Sequence, residues 1–356
     1  MESKPIRIGL GSFDLVKGVA MILTVLGHLT YFFDTDKLPW LLPLFVLLKP
    51  MGMLMPMFFI ISGYGFREKT VKQMWKLTFK SFIVPYLWVA AAFTAIYPVT
   101  CILAYGTGLR YTAKLTLRYL AAFLLGIPKS GKVILGFELL HCSAVWFFLA
   151  SFLSLNLLNL IVKVGKTWLQ WLLTLACVLA GYVLIRRDIN FYCIPQGLMA
   201  VGCSYLGLLI KGHKLLETWG RKWWLYAILI PIVLLHSIFG HMNLCLGQFQ
   251  LGIADFVGSV CTAVLFLFAG VYLDRMDWRW LDWIRQIGVY TYWILCIHVV
   301  EDGCMQWGAW IQWIRQDYLA FGLIVAVKAV LIWGACFALK RLAQYRYKRR
   351  KNALGK

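Results

Sequence analysis

The sequence predicts an all-α polytopic membrane helix bundle, and three observations predict it. Hydrophobic residues make up 61% of the 356-residue chain and charged residues only 14%, with a mean hydropathy of +0.74. A soluble globular chain sits nearer half apolar and a quarter charged. Apolar runs of spanning length recur along the whole chain, whose length holds about ten spans of roughly 20 residues with their connections. Lys and Arg gather in the short connections between those runs, as they do where charge fixes membrane orientation. No long soluble segment is left over, so residues 1–356 read as a single membrane domain ending in a basic tail, 341–356.

Taken in order, the expected spans are 13–33, 41–66, 81–104, 143–162, 168–185, 191–210, 223–240, 251–273, 286–303 and 319–340. The first run follows Asp14 and Lys17 and has no small-residue cleavage site, so it reads as a retained helix rather than a signal peptide. The connection 105–142 contains an apolar patch, 120–127, that is too short to span and reads as an interfacial or re-entrant piece. Ten spans return the C-terminus to the side of the N-terminus. Placing both in the cytoplasm puts most of the 36 Lys and Arg there. The expected location is therefore the inner (plasma) membrane, with the basic tail held by anionic lipid.

A net charge of +21 raises the question of nucleic acid. The densest cluster, Arg346 to Lys351, directly follows an apolar span, and the rest is spread over inter-span connections. Orientation in a membrane accounts for that distribution, and no nucleic-acid partner is expected. The ten cysteines show no C-x-x-C, and most lie inside apolar runs. They read as packing residues, with neither a disulfide framework nor a metal centre expected.

Polar groups inside spans are costly and point to function. In FDLVKGVAMILTVLGH, Asp14 and Lys17 are three residues apart and share a face. Lys17 and His28 are eleven apart, just over three turns, so they also share a face, about 16 Å apart along the axis. In PMFFIISGYGFREK, the Ser62-Gly63 pair permits close backbone approach and supplies a hydroxyl. Arg67 and Lys69 then open a basic connection that suits a phosphate-rich ligand. IGVYTYWILCIH places a second histidine, His298, late in a span. Asp255 interrupts an apolar run and must be paired or face water. His213, His236 and His241 lack ligand spacing and read as surface or packing residues.

These segments, with SFIVPY after the basic connection and the weaker AVWFFLASF and IPQGLMAVGCSYLGLLIK, resemble membrane-bound acyltransferase family 3, in particular its fucose 4-O-acetylase-like branch. The similarity runs from about residue 12 to 340, and members often carry Arg where this chain has Lys17. The resemblance implies transfer of an acyl group, commonly acetyl, from acyl-coenzyme A as cosubstrate to a hydroxyl of a carbohydrate or glycolipid acceptor. It implies no permanently bound cofactor. In that scheme His28 is the general base. Lys17 and Arg67 hold or neutralise the donor, Ser62 hydrogen-bonds within the site, and Asp14, Lys69, His298 and Asp255 support donor or substrate binding. The competing class is a transporter or flippase for a sugar or lipid-linked substrate, against which stands the lack of matching broken halves.

Overall fold

The computed structural model describes residues 11–33, 52, 54–134, 136–218, 222–276 and 278–354. It is built of α-helices: α1 (Ser12–Gly27), α2 (Leu54–Tyr64), α3 (Val71–Thr78), α4 (Val84–Tyr105), α5 (Leu109–Leu125), α6 (Trp146–Ile161) and α7 (Thr167–Arg186). There follow α8 (Ile194–Gly212), α9 (Leu215–Thr218), α10 (Trp223–Phe239), α11 (Ile253–Arg275), α12 (Asp282–Cys304), α13 (Trp307–Ile314) and α14 (Asp317–Leu354). Among the described residues the exceptions to α-structure are 3-10 or π turns and two antiparallel hairpins of two-residue strands, Val133–Ile134 with Phe137–Glu138 and Met242–Asn243 with Gln248–Phe249. The expected all-α membrane class is what the chain adopts. Among the described residues, six helical segments are long and apolar enough to cross a membrane: Val71–Tyr105, Ser143–Ile161, Thr167–Arg186, Ile194–Gly212, Ile253–Arg275 and Asp317–Arg346. Leu54–Tyr64 and Trp223–Phe239 are shorter apolar helices. Much of the expected second span, 41–51 and 53, lies outside the described residues.

Local chemistry explains where helices begin and end. Thr70 caps α3 reciprocally with Gln73, so the basic connection after Ser62 is helical and runs through a π turn, Phe79–Ile83, into α4. Gly106 and Gly126 take the left-handed conformation, at φ +62° and +57°, and close α4 and α5. The 105–142 connection thus contains a full helix of 17 residues, longer than its apolar patch suggested, because amphipathic turns precede that patch. The basic tail is not a separate segment: it continues the last span as one helix of 38 residues.

The chain forms two compact units, Met1–Ile6 with Lys49–Tyr272, and Arg7–Leu48 with Leu273–Lys356. In the first, α8 is the central helix, packed by α2, α6 and α7. Glycines let the backbones meet: a Cβ on Gly63 would overlap the Ser204 carbonyl, and one on Gly207 the Ile60 carbonyl. Small-residue contacts of this kind drive helix association where lipid removes the hydrophobic difference. Ser154 and Ser204 add a buried hydroxyl pair at 2.8 Å. By contrast α10 buries none of its residues, as suits an apolar helix whose surface lipid covers.

In the second unit α1 packs along α12, and α14 packs against α12. Gly18 meets the Ile284 carbonyl and Gly288 the Asp14 carbonyl so closely that neither position has room for a Cβ. Leu15, Leu281 and Ile284 fill the seam at one end. At the other, Leu29, Phe33, Trp307, Ala320 and Ile324 form a separate apolar cluster.

Candidate functional site

The polar stripe foreseen on the first helix exists; its N-terminal end pairs within the helix, and its C-terminal end meets partners from α12. At the N-terminal end, Lys17 Nζ lies 2.7 Å from Asp14 Oδ1, so these two form the i,i+3 ion pair their spacing suggested. Nearby in the same unit, Ser12 donates to Asp274 at 2.9 Å. The buried Arg285 guanidinium bridges Asp274 and Asp282 at 2.9 and 2.7 Å.

At the other end, α1 tightens into a 3-10 turn, His28–Tyr31, and presents His28 to the last turns of α12. His28 Nδ1 is 3.2 Å from His298 Nε2, and the ring centroids are 4.9 Å apart. The two histidines picked out from sequence are therefore neighbours. His28 Nδ1 also lies 3.3 Å from Asp302 Oδ2, and His298 Nδ1 lies 3.0 Å from Glu301 Oε2. Lys328 of α14, only 2% exposed, donates to Glu301 Oε1 at 2.9 Å and to Asp302 Oδ1 at 3.0 Å. Its ammonium also stands 5.0 Å from the centre of the Trp307 ring, a favourable cation–π position.

Glu301 and Asp302 each accept from the Lys328 ammonium. When His298 donates its Nδ1–H to Glu301, its Nε2 is an acceptor, and His28 donates from Nδ1 toward His298 Nε2 and Asp302 Oδ2. In that tautomer the lone pair of His28 is on Nε2. A base oriented through its far nitrogen by a carboxylate is the recurring arrangement for abstracting a proton from a hydroxyl. The cluster gathers Lys328, Glu301 and Asp302 around the two imidazoles. Imidazole nitrogens of His28 and His298 and the Asp302 carboxylate lie within 4.8 Å of one another, a spacing a metal ion could use. Here the Lys328 ammonium supplies positive charge to the same carboxylate.

The remaining residues singled out from sequence belong to the other unit, each in its own surroundings. Ser62 donates its hydroxyl back to the Phe58 carbonyl at 2.8 Å. Arg67 and Lys69 have exposed side chains, on a loop that buried Asn159 clamps by accepting from the Lys69 N–H at 3.0 Å and donating to its carbonyl at 3.1 Å. Asp255 is fully buried at the start of α11. It accepts from the Leu251 N–H at 2.6 Å and faces His236 Nε2 at 3.5 Å. Sequence reasoning missed Glu301, Asp302, Arg285 and Asp274, and counted Lys328 without giving it a role. The signal for two of them was present: Glu301 and Asp302 follow His298 by three and four residues, which puts all three on one helix face.

A helix bundle with a buried imidazole–carboxylate–ammonium network at the ends of its helices carries polar groups that are costly in a membrane and that mark a candidate site. The family model described as an acyltransferase domain, that of acyltransferase family 3, matches residues 10–339, and the chain belongs to this family. It is thus a membrane acyltransferase by family. No curated protein and no solved structure matches it significantly.

Proposed function

We propose that the protein is an O-acyltransferase of the fucose 4-O-acetylase-like branch. It transfers an acyl group, in the simplest case acetyl, from acyl-coenzyme A to a hydroxyl of a carbohydrate or glycolipid. The observation that carries this reading is the orientation of His28 by Asp302 and His298, which directs the Nε2 lone pair to act as base. In the reaction His28 Nε2 takes the acceptor hydroxyl proton as the oxygen attacks the thioester carbonyl. The carbon–sulfur bond then breaks, and the leaving thiolate recovers the proton. Asp302 balances the imidazolium that forms in between. Lys17 with Asp14, and separately Arg67 with Lys69, are our candidate donor-side residues, each pair taken within its own unit. Ser62 and Asp255 are assigned structural support of the reaction, Ser62 through its own helix and Asp255 through the start of α11. The termini are assigned to the cytoplasm of a plasma-membrane protein with ten spans.

The test is acetyl transfer by purified protein from labelled acetyl-coenzyme A, in wild type, His28→Ala and His28→Gln. A positioned base contributes roughly 10²–10⁴-fold, so both variants should insert at normal abundance and lose turnover. Gln keeps hydrogen-bonding reach but cannot take a proton near neutral pH. An active His28→Gln enzyme would remove His28 from the chemistry. Movement of a sugar or lipid-linked ligand across vesicles without donor turnover would replace the enzyme by a transporter.

A further inference from the structure

Three cysteines that stand about fifty residues apart in the chain meet around one short segment of the first unit. The Cys193 N–H and thiol both reach the Gly126 carbonyl, at 3.2 and 3.3 Å. The Cys142 N–H donates to the next carbonyl, Ile127, at 2.8 Å. The Cys245 thiol donates to the one after that, Pro128, at 3.5 Å. Cys142 and Cys193 are both completely buried, and they are anchored on the adjacent carbonyls of Gly126 and Ile127. The backbone beside them is held in the left-handed region, at φ +53° for Ser143, +51° for Tyr192 and +52° for Cys193. Two adjacent left-handed non-glycine residues, Tyr192 and Cys193, facing a third, Ser143, next to Cys142 are unusual and need surrounding structure to hold them. None of these cysteines enters the acyl-transfer chemistry.

Their position matters as much as their proximity. Cys142 precedes α6, Cys193 starts α8 and Cys245 lies between the strands of the second hairpin. All three fall in, or at the edge of, connections that the charge pattern assigns to the exterior, where the compartment is oxidising. We propose that Cys142 and Cys193 form a disulfide that staples the exterior end of α6 to the N-terminus of α8. The two thiols give up two protons and two electrons as one sulfur–sulfur bond forms. A disulfide-bearing thiol oxidase of that compartment accepts them and is itself reduced to the dithiol. Cys245 is the third thiol and stays out of the bond. Its thiol is tied to the Pro128 carbonyl, two residues along from the Gly126 carbonyl that holds the Cys193 thiol. The bond closes a long loop that contains α6 and α7, the case in which a cross-link most restricts the unfolded chain. The proposal rests on the exterior assignment and is independent of the acyl acceptor.

The experiment counts thiols in the full-length protein. Membranes are quenched in acid, and the protein is denatured and alkylated with N-ethylmaleimide without reductant, then weighed. The expected result is two fewer adducts than after reduction, and one peptide pair linked through Cys142 and Cys193. Cys245→Ser should retain that linked pair. Cys142→Ser should abolish it and leave Cys193 open to alkylation. Full alkylation of all ten cysteines in the unreduced protein would overturn the proposal, as would a linked pair joining other cysteines. In a parallel arm, Phe137→Cys on the exposed hairpin beside Cys142 should react with an impermeant maleimide from outside the cell. Labelling from the cytoplasmic side alone would remove the oxidising compartment and with it the proposal.

Discussion

Asp302→Asn tests the site at its most informative atom. Asp302 Oδ2 lies 3.3 Å from His28 Nδ1, so proton uptake by His28 creates a full imidazolium–carboxylate pair at that distance. At an effective dielectric of about 20 such a pair is worth about 5 kcal/mol. Two features reduce that figure. Lys328 holds the other carboxylate oxygen at 3.0 Å, and the Asp302 side chain is 21% exposed, so solvent screens part of the field. A loss of roughly 3–4 kcal/mol in the transition state remains, which corresponds to about 10²–10³-fold in kcat. Asn retains the shape and one oxygen that can accept from Nδ1, while its NH2 then faces Lys328, which keeps Glu301 as its acceptor; the KM for the donor should hardly move in the folded fraction. The assay is steady-state transfer from labelled acetyl-coenzyme A at matched membrane abundance, with Asp302→Glu as the charge-preserving control that recovers part of the rate. If Asp302→Asn turns over within about threefold of wild type, Asp302 does not orient the base, and the proton assignment for His28 fails with it.

Further outcomes follow from the same geometry. Lys17→Arg should keep more activity than Lys17→Ala, because the position supplies charge to a low-dielectric site; equal turnover of Lys17→Ala and wild type would end its donor-side role. Asn159→Ala removes both hydrogen bonds that clamp the Lys69 backbone, worth about 1–2 kcal/mol together, and should raise the KM for the donor several-fold with kcat nearly kept. An unchanged KM would separate Arg67 and Lys69 from donor binding. Gly288→Ala places a methyl group against the Asp14 carbonyl and should destabilise the protein by about 1–3 kcal/mol, read as a lower melting temperature in detergent.

The membrane class and most helices were legible because apolar runs of spanning length have few other meanings. His28 and His298 were legible individually, since an imidazole in such a run is costly, and their contact was not, since 270 residues separate them. Glu301 and Asp302 sit at the C-terminal end of α12, where acidic side chains ordinarily face water, so their spacing from His298 drew no attention. Lys328 was visible as a lone cation within the last span, but only packing against α12 gives it a purpose. The cysteines were read as inert because no local spacing connected them; what joins them is the Gly126–Ile127–Pro128 backbone, and no periodicity reports a shared carbonyl segment. The helix in the 105–142 connection was underestimated because its first turns are polar and carry no spanning signal.

The glycine contacts of α1 with α12 have a mechanical consequence. Gly18 and Gly288 are spaced so that each backbone seats a notch in the other, and sliding one helix past its neighbour by even one residue, about 1.5 Å, would drive a side chain into a carbonyl. Shear along this seam is therefore blocked. The Asp14–Lys17 end and the His28–His298 end are held at fixed separation, like the two ends of a strut. Any motion of this unit must carry α1 and α12 together as a rigid pair, so His28 keeps its contact with Asp302 through every stage of the movement.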